Sequence, residues 1–224
     1  MTQRKTDSTS PPRAPRKVLV LALLAGLAAG VLSAVLLAWL PSGPSDAPPA
    51  QTVGKALIGG PFSLLDGSGR RVTDKDFVGK PLLVYFGFTH CPDVCPAGLQ
   101  VIAAALDELG DKANGLSVVF ITVDPERDTP ELIGEYVASF HSRITGLSGS
   151  PEDIAAVTKA YRVYVKKVVD EAAPGAYTVD HSSFMYLMDD KGQFLRHFPH
   201  SIDAKELAAA LAKAMNASAG GSGA

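Results

Sequence analysis

Cys91 and Cys95 are the two cysteines of the 224-residue chain, and they stand four positions apart in FGFTHCPDVCPAG, between an apolar run and a helix-forming stretch. Such a pair can serve as a structural disulfide, a redox couple or a pair of metal ligands. The first use is disfavoured, because so short a loop removes little entropy from the unfolded chain and a bridge there would stabilise little. Pro96 predicts a helix start at that residue, where a proline loses no hydrogen bond. Cys95 then falls at the N-cap and Cys91 on the turn before it. Both lie near the positive end of the helix dipole, which favours thiolate over thiol. Thiolate is the reactive form for redox exchange and for metal binding alike. Three intervening residues, Pro92, Asp93 and Val94, widen the bite beyond that of the two-residue redox motif. Two thiolates are soft ligands suited to Cu(I), zinc or iron–sulfur centres, and with no further cysteine a third ligand must be of another type.

The chain has five histidines. His141 ends a helical stretch, His197 lies in a strand and His200 in the turn before the last helix, positions that packing or solvation explain. His90 precedes Cys91 directly, but neighbouring side chains of an extended chain point to opposite faces, which leaves it a proton-handling or supporting role. His181 is placed differently. TVDHSSFMYLMD sets it at the entry of a strand after a long irregular loop, from which a folded sheet can return it to the cysteines.

These residues need elements to hold them. FSLLDGSGRRVT reads as two short strands about Asp66-Gly67, and PLLVYFGF is an apolar run ending just before the cysteines. AGLQVIAAALDELG is helical, LSVVFITVD is a buried strand, and PELIGEYVASF is helical again. SPEDIAAVTKAYRVY opens with Ser150, Pro151 and Asp153 in the places of a capping box. FMYLMDDKGQFLRHF gives two strands around Gly192, and DAKELAAALAKAM a closing amphipathic helix. The order predicts an α/β domain, a mixed sheet with helices on both faces and chemistry at the carboxyl ends of its strands. Asp124 lies at such an end. Asp124-Pro125 stops a strand and Thr129-Pro130 starts a helix, and the carboxylate of Asp124 is a candidate hydrogen-bond partner for a metal ligand.

Residues 18–40 carry no charge, about 35 Å of helix against a hydrocarbon core of about 30 Å. Arg4, Lys5, Arg13, Arg16 and Lys17 precede them and only Asp7 opposes, so the expected topology keeps residues 1–17 in the cytoplasm as a tail and makes residues 18–40 a transmembrane anchor. Residues 41–54 are a Pro- and Ser-rich linker, residues 55–214 the folded domain and residues 215–224 a flexible tail. The basic tail removed, the remainder has more acidic than basic residues and no basic cluster, which excludes nucleic acid as a partner.

FGFTHCPDVCP, ITVDPERDTPE and DHSSFMYLMDDKG, in this order behind an apolar N-terminal segment, resemble the Sco/SenC family of copper proteins, which assist assembly of the binuclear copper centre of cytochrome c oxidase. The likeness covers residues 55–212. It implies a thioredoxin-like fold in which Cys91, Cys95 and His181 bind copper, with an upstream copper donor and the copper-bearing oxidase subunit as partners. The chemistry is apt in its own right: two thiolates and one imidazole suit Cu(I), can hold Cu(II), and leave a position for an incoming ligand. Two functions follow as expectations. One is a membrane-anchored copper chaperone; the other is a thiol–disulfide oxidoreductase in which Cys91 and Cys95 reduce the cysteines of the same target. A peroxide reductase is a weaker reading, since no arginine stands at an interpretable spacing from the thiols. The expected location is a bacterial inner membrane with the domain in the periplasm, the alternative a mitochondrial inner membrane with the domain in the intermembrane space.

Overall fold

The computed structural model describes residues 57–221. The expected tail, anchor and linker lie outside the described residues, and among those described no helix is long and apolar enough to cross a membrane. Among the described residues nine strands form: β1 (Ser63–Asp66), β2 (Arg71–Thr73), β3 (Leu82–Gly87), β4 (Ser117–Thr122), β5 (Ile144–Ser148), β6 (Val165–Val169), β7 (Tyr177–His181), β8 (Phe184–Met188) and β9 (Phe194–Pro199). The α-helices are α1 (Val94–Leu109), α2 (Pro130–Ala138), α3 (Pro151–Ala160) and α4 (Ala204–Gly221).

Seven strands make one sheet in the order β2-β1-β5-β4-β3-β8-β9. Its centre, β3, β4 and β5, is parallel, and antiparallel strands flank it on both sides. Every residue of β3 is buried, as a strand covered on both faces requires. Tyr85 packs against Gly98 of α1. Phe86, one residue on and so on the opposite face, packs on Tyr161 just after α3, with ring centroids 5.4 Å apart. Helices therefore cover both faces, as the alternation of strand and helix predicted.

Three local expectations are corrected. First, β5 was not anticipated, because Thr145 and Gly146 break a five-residue run whose apolar content is too low to mark a strand. The bare Gly146 is needed there: a Cβ would stand 2.6 Å from the Ile133 carbonyl oxygen of α2. Second, the stretch read as a long irregular loop is a two-stranded ribbon, β6 paired antiparallel with β7 from Val165↔His181 to Val169↔Tyr177. His181 ends a strand rather than opening one. Third, α4 continues to Gly221, past the boundary at residue 214, because Ala and Ser sustain helix after the apolar spacing has faded.

Candidate metal centre

Cys91 and Cys95 stand at the carboxyl end of β3, where the chain turns into α1. The helix begins at Val94 with Asp93 at its N-cap, two residues earlier than Pro96 suggested. Proline is tolerated throughout a first turn, whose amides have no intrahelical acceptor. Cys95 is thus the second helical residue and wholly buried, while Cys91 is half-buried on the turn before. That turn is closed by the Cys91 amide donating to Phe88 O at 3.3 Å. The Cys95 amide, one of the orphan donors of the helix start, donates to Cys91 Sγ at 3.4 Å. Gly87 makes room for this packing, since a Cβ there would lie 2.8 Å from Cys95 Sγ.

His181 reaches the same place from the ribbon. Its Nε2 is 3.4 Å from Cys95 Sγ, and its Nδ1 is 3.1 Å from the Ser182 carbonyl oxygen. A carbonyl can only accept, so Nδ1 carries the ring proton and Nε2 presents its lone pair to the sulfur. This is the tautomer a metal ligand needs. Phe88, buried, meets the imidazole edge-on at 5.9 Å between ring centroids.

The two thiols are inequivalent. Hydrogen bonding from Cys95 lowers the Cys91 pKa to about 3, with burial opposing. The Cys95 thiol is pushed up, first by its hydrogen bond to Cys91 and then by burial. One proton therefore sits on Cys95, shared toward the Cys91 sulfur and His181 Nε2. Bonds of about 2.3 Å to sulfur and 2.0 Å to nitrogen, meeting at a trigonal metal, would separate those atoms by roughly 3.7 Å. The 3.4 Å observed between Cys95 and His181 is close to that spacing. Among the described residues no three His, Cys, Asp or Glu side chains have the spacing of a finished cage. Cys91, Cys95 and His181 are thus a candidate ligand set, linked in this state by one shared proton.

Asp124 is buried at the end of β4, but it touches none of the three. Its Oδ2 accepts from Arg127 Nε at 2.5 Å and its Oδ1 from the Tyr177 hydroxyl at 2.8 Å. It is therefore tied to the first residue of the strand that His181 ends. Exposed His90 turns to the Thr89 hydroxyl, 2.9 Å from Nδ1. His141 pairs with Asp107 at 3.5 Å, and His197 packs between Phe184 and Phe194, away from the thiols. Sequence reasoning missed Phe88, Arg127, Asp128 and Tyr177 around the site. Arg127 and Asp128 lie within a quoted motif, but only the fold shows which way each faces.

A family model described as SCO1/SenC matches residues 50–216. The chain belongs to the SCO1/SenC family. Protein SCO1 homolog 1, mitochondrial, of Arabidopsis thaliana is 48% identical over 158 residues, 70% of this chain and 46% of that protein. Protein SCO1 homolog, mitochondrial, of Homo sapiens is 45% identical over 168 residues, 73% of this chain and 54% of that one. The chain spans about half the length of these curated relatives. The solved structure of Bradyrhizobium japonicum ScoI with copper bound is 48% identical and covers 70% of this chain and 99% of its own, with a TM-score of 0.66. The fold is the mixed, thioredoxin-like fold of the SCO1/SenC family, and a homologue has been solved holding copper.

Proposed function

We propose that the protein is a membrane-anchored copper chaperone that carries copper on Cys91, Cys95 and His181 and delivers it to the copper-bearing subunit of cytochrome c oxidase. The observation that carries this reading is the meeting of His181 Nε2 with Cys95 Sγ at 3.4 Å, between residues 86 apart in sequence. Membership of the SCO1/SenC family and a copper-bound homologue support it. Copper is cargo here. Two sulfurs and one imidazole hold it in either oxidation state and leave a position at which the partner's ligand can attack before the donor releases. Asp124 supports the centre indirectly, by fixing Tyr177 and through it the ribbon bearing His181. Residues 18–40 anchor the domain, in the periplasm of a bacterium or, as the alternative, in the mitochondrial intermembrane space, where an upstream donor loads it. The Arabidopsis and human relatives are mitochondrial by name.

A second reading rests on the asymmetry of the thiols. Cys91, half-buried and thiolate, is placed to attack a disulfide of the oxidase copper site. A mixed disulfide forms and one target thiolate leaves. Cys95 then attacks the Cys91 sulfur, releasing the second target thiol and leaving Cys91–Cys95 oxidised, two electrons having passed to the target. A dithiol donor must then reduce the pair.

One titration decides between them. The full chain, reduced and anaerobic, is titrated with Cu(I) in competition with a chelator of known affinity. Binding of one equivalent, abolished by Cys91→Ser, is expected; absence of binding sinks the chaperone reading and leaves the oxidoreductase.

A further inference from the structure

The segment ITVDPERDTPE supplies none of the three ligands, yet its residues touch both arms that do. On one side Arg127 sits over the Tyr177 ring, its guanidinium carbon 3.8 Å from the centroid and 5.9 Å from that of Phe88. Its Nε holds Asp124, and its Nη1 donates to the Tyr177 carbonyl at 3.2 Å. Lys167 of β6 covers the same ring at 3.9 Å and pairs with Glu126 at 2.6 Å. Four side chains from two segments thus clamp the start of β7, the strand that ends in His181. Phe88, which Arg127 also faces, packs directly on that imidazole.

On the other side, Asp128 is wholly buried. Its carboxylate accepts from the Thr89 amide at 3.0 Å, the Thr89 hydroxyl at 2.5 Å and the Thr122 hydroxyl at 2.7 Å. Its own carbonyl accepts from Ser148 Oγ at 2.5 Å. Thr122 and Ser148 end β4 and β5, and Thr89 follows the end of β3 two residues before Cys91. Asp128 therefore ties the carboxyl ends of three parallel strands to the turn that carries the first thiol. A buried carboxylate with three donors is costly to disturb, because removing it leaves each of them without its acceptor, the Thr122 hydroxyl in the buried interior.

Arg127 and Asp128 are adjacent and face opposite ways from one turn, closed by both their amides donating to Asp124 O at 3.2 and 3.0 Å. We infer that residues 124–128 are a two-sided brace that sets the separation of the His181 ribbon from the Cys91 turn, with Arg127 and Asp128 as positioning residues. Its purpose rests on the copper reading above; its geometry does not.

The test uses the full chain and two readouts besides copper. One is carbethoxylation of His181, resolved by mass spectrometry of its peptide. The other is the equilibrium constant of the Cys91–Cys95 dithiol against a reference dithiol. Arg127→Ala is expected to speed modification of His181 and to weaken Cu(I) binding by about 10- to 100-fold, the range for residues that support a metal ligand. The dithiol constant should stay within about twofold. Arg127→Lys should not rescue, because an ammonium lacks the flat fork that stacks and donates together. Asp128→Asn, nearly isosteric and chosen so that the fold survives, should do the reverse: move the dithiol constant by about fivefold or more and leave His181 modification within about twofold. Proportional changes in both readouts, tracking lost thermal stability, would show a general packing role and overturn the brace, as would no change in either. If the parent chain binds no Cu(I), the copper reading fails, and the brace is still judged by the other two readouts.

Discussion

The two arms of the site are built to opposite specifications. Cys95 is held by the middle of the protein: wholly buried, on a helix packed over β3 and close against Gly87. His181 ends a ribbon whose first strand is exposed at four of five positions, and which pairs with no strand of the main sheet. The thiols have little freedom, because moving them means moving the core. The imidazole is kept in place by one ladder, one clamp, one aromatic contact and its ring-nitrogen contacts to Ser182 O and Cys95 Sγ. Elements with few buried contacts open at low free-energy cost. On the chaperone reading proposed above, the contrast would let sulfur retain copper while nitrogen yields first to an incoming ligand.

The largest expected effect separates the arms outright. Cys95→Ser should abolish both Cu(I) binding and dithiol cycling, since each needs both sulfurs. His181→Ala should weaken Cu(I) binding by more than about 100-fold, beyond the loss typical of supporting residues, while dithiol cycling persists. Competition titration and thiol trapping on the two variants check this, and loss of cycling in His181→Ala would refute the independence of the arms.

A smaller effect sharpens the claim that the thiol arm is rigid. A methyl at Gly87 would lie 2.6 Å from the Phe120 ring and 2.8 Å from Cys95 Sγ, with nowhere to go. Gly87→Ala should therefore cost about 1–3 kcal/mol of stability in a denaturant melt, the usual cost of overpacking. An unchanged midpoint would mean that the core yields more readily than its packing indicates.

The mildest test concerns protons. The folded pKa of Cys91 is depressed to about 3, chiefly by the hydrogen bond from Cys95. Its thiolate is thus complete above that value and lost only as pH falls through it. Iodoacetamide alkylation of Cys91 in the reduced chain should be flat from about pH 8 to about pH 5. In Cys95→Ala the inflection should climb toward the ordinary thiol value near 8.5. An inflection near that value in the parent chain would refute the proton sharing.

What the sequence made legible follows the same divide. The buried half announces itself, because PLLVYFGF and LSVVFITVD are apolar throughout and the helices carry their own spacing and caps, such as Ser150 with Asp153. The cysteines were placed to within two residues. The ribbon gives no strand signal because VKKVV exposes four of its five positions and YTVDH buries only Val179, and strand patterning is visible only where one face is buried. β5 was hidden by Gly146, whose lack of a side chain serves α2 rather than its own strand. The partners of Asp124 and Asp128 were beyond reach for another reason: a carboxylate's neighbours lie across the fold, and nothing in VDPERD tells which acid faces the histidine arm and which the thiols.

The ladder of β6 and β7 has its closed end at residues 170–176 and its open end at Val165↔His181, beside the body of the domain. The Ser182 amide donates to Tyr164 O at 3.0 Å, and the Tyr164 amide to Ser182 Oγ at 3.1 Å. The His181 rung is therefore riveted at the root of the ribbon, while the clamp on Tyr177 holds the rung nearest the tip. The tip, where Gly175 turns with a φ of 88° and its neighbours face solvent, contributes no side chain to the clamp or to the three candidate ligands. An insertion at this turn would leave the Val165↔His181 rung paired, so it is the natural place to splice in a reporter.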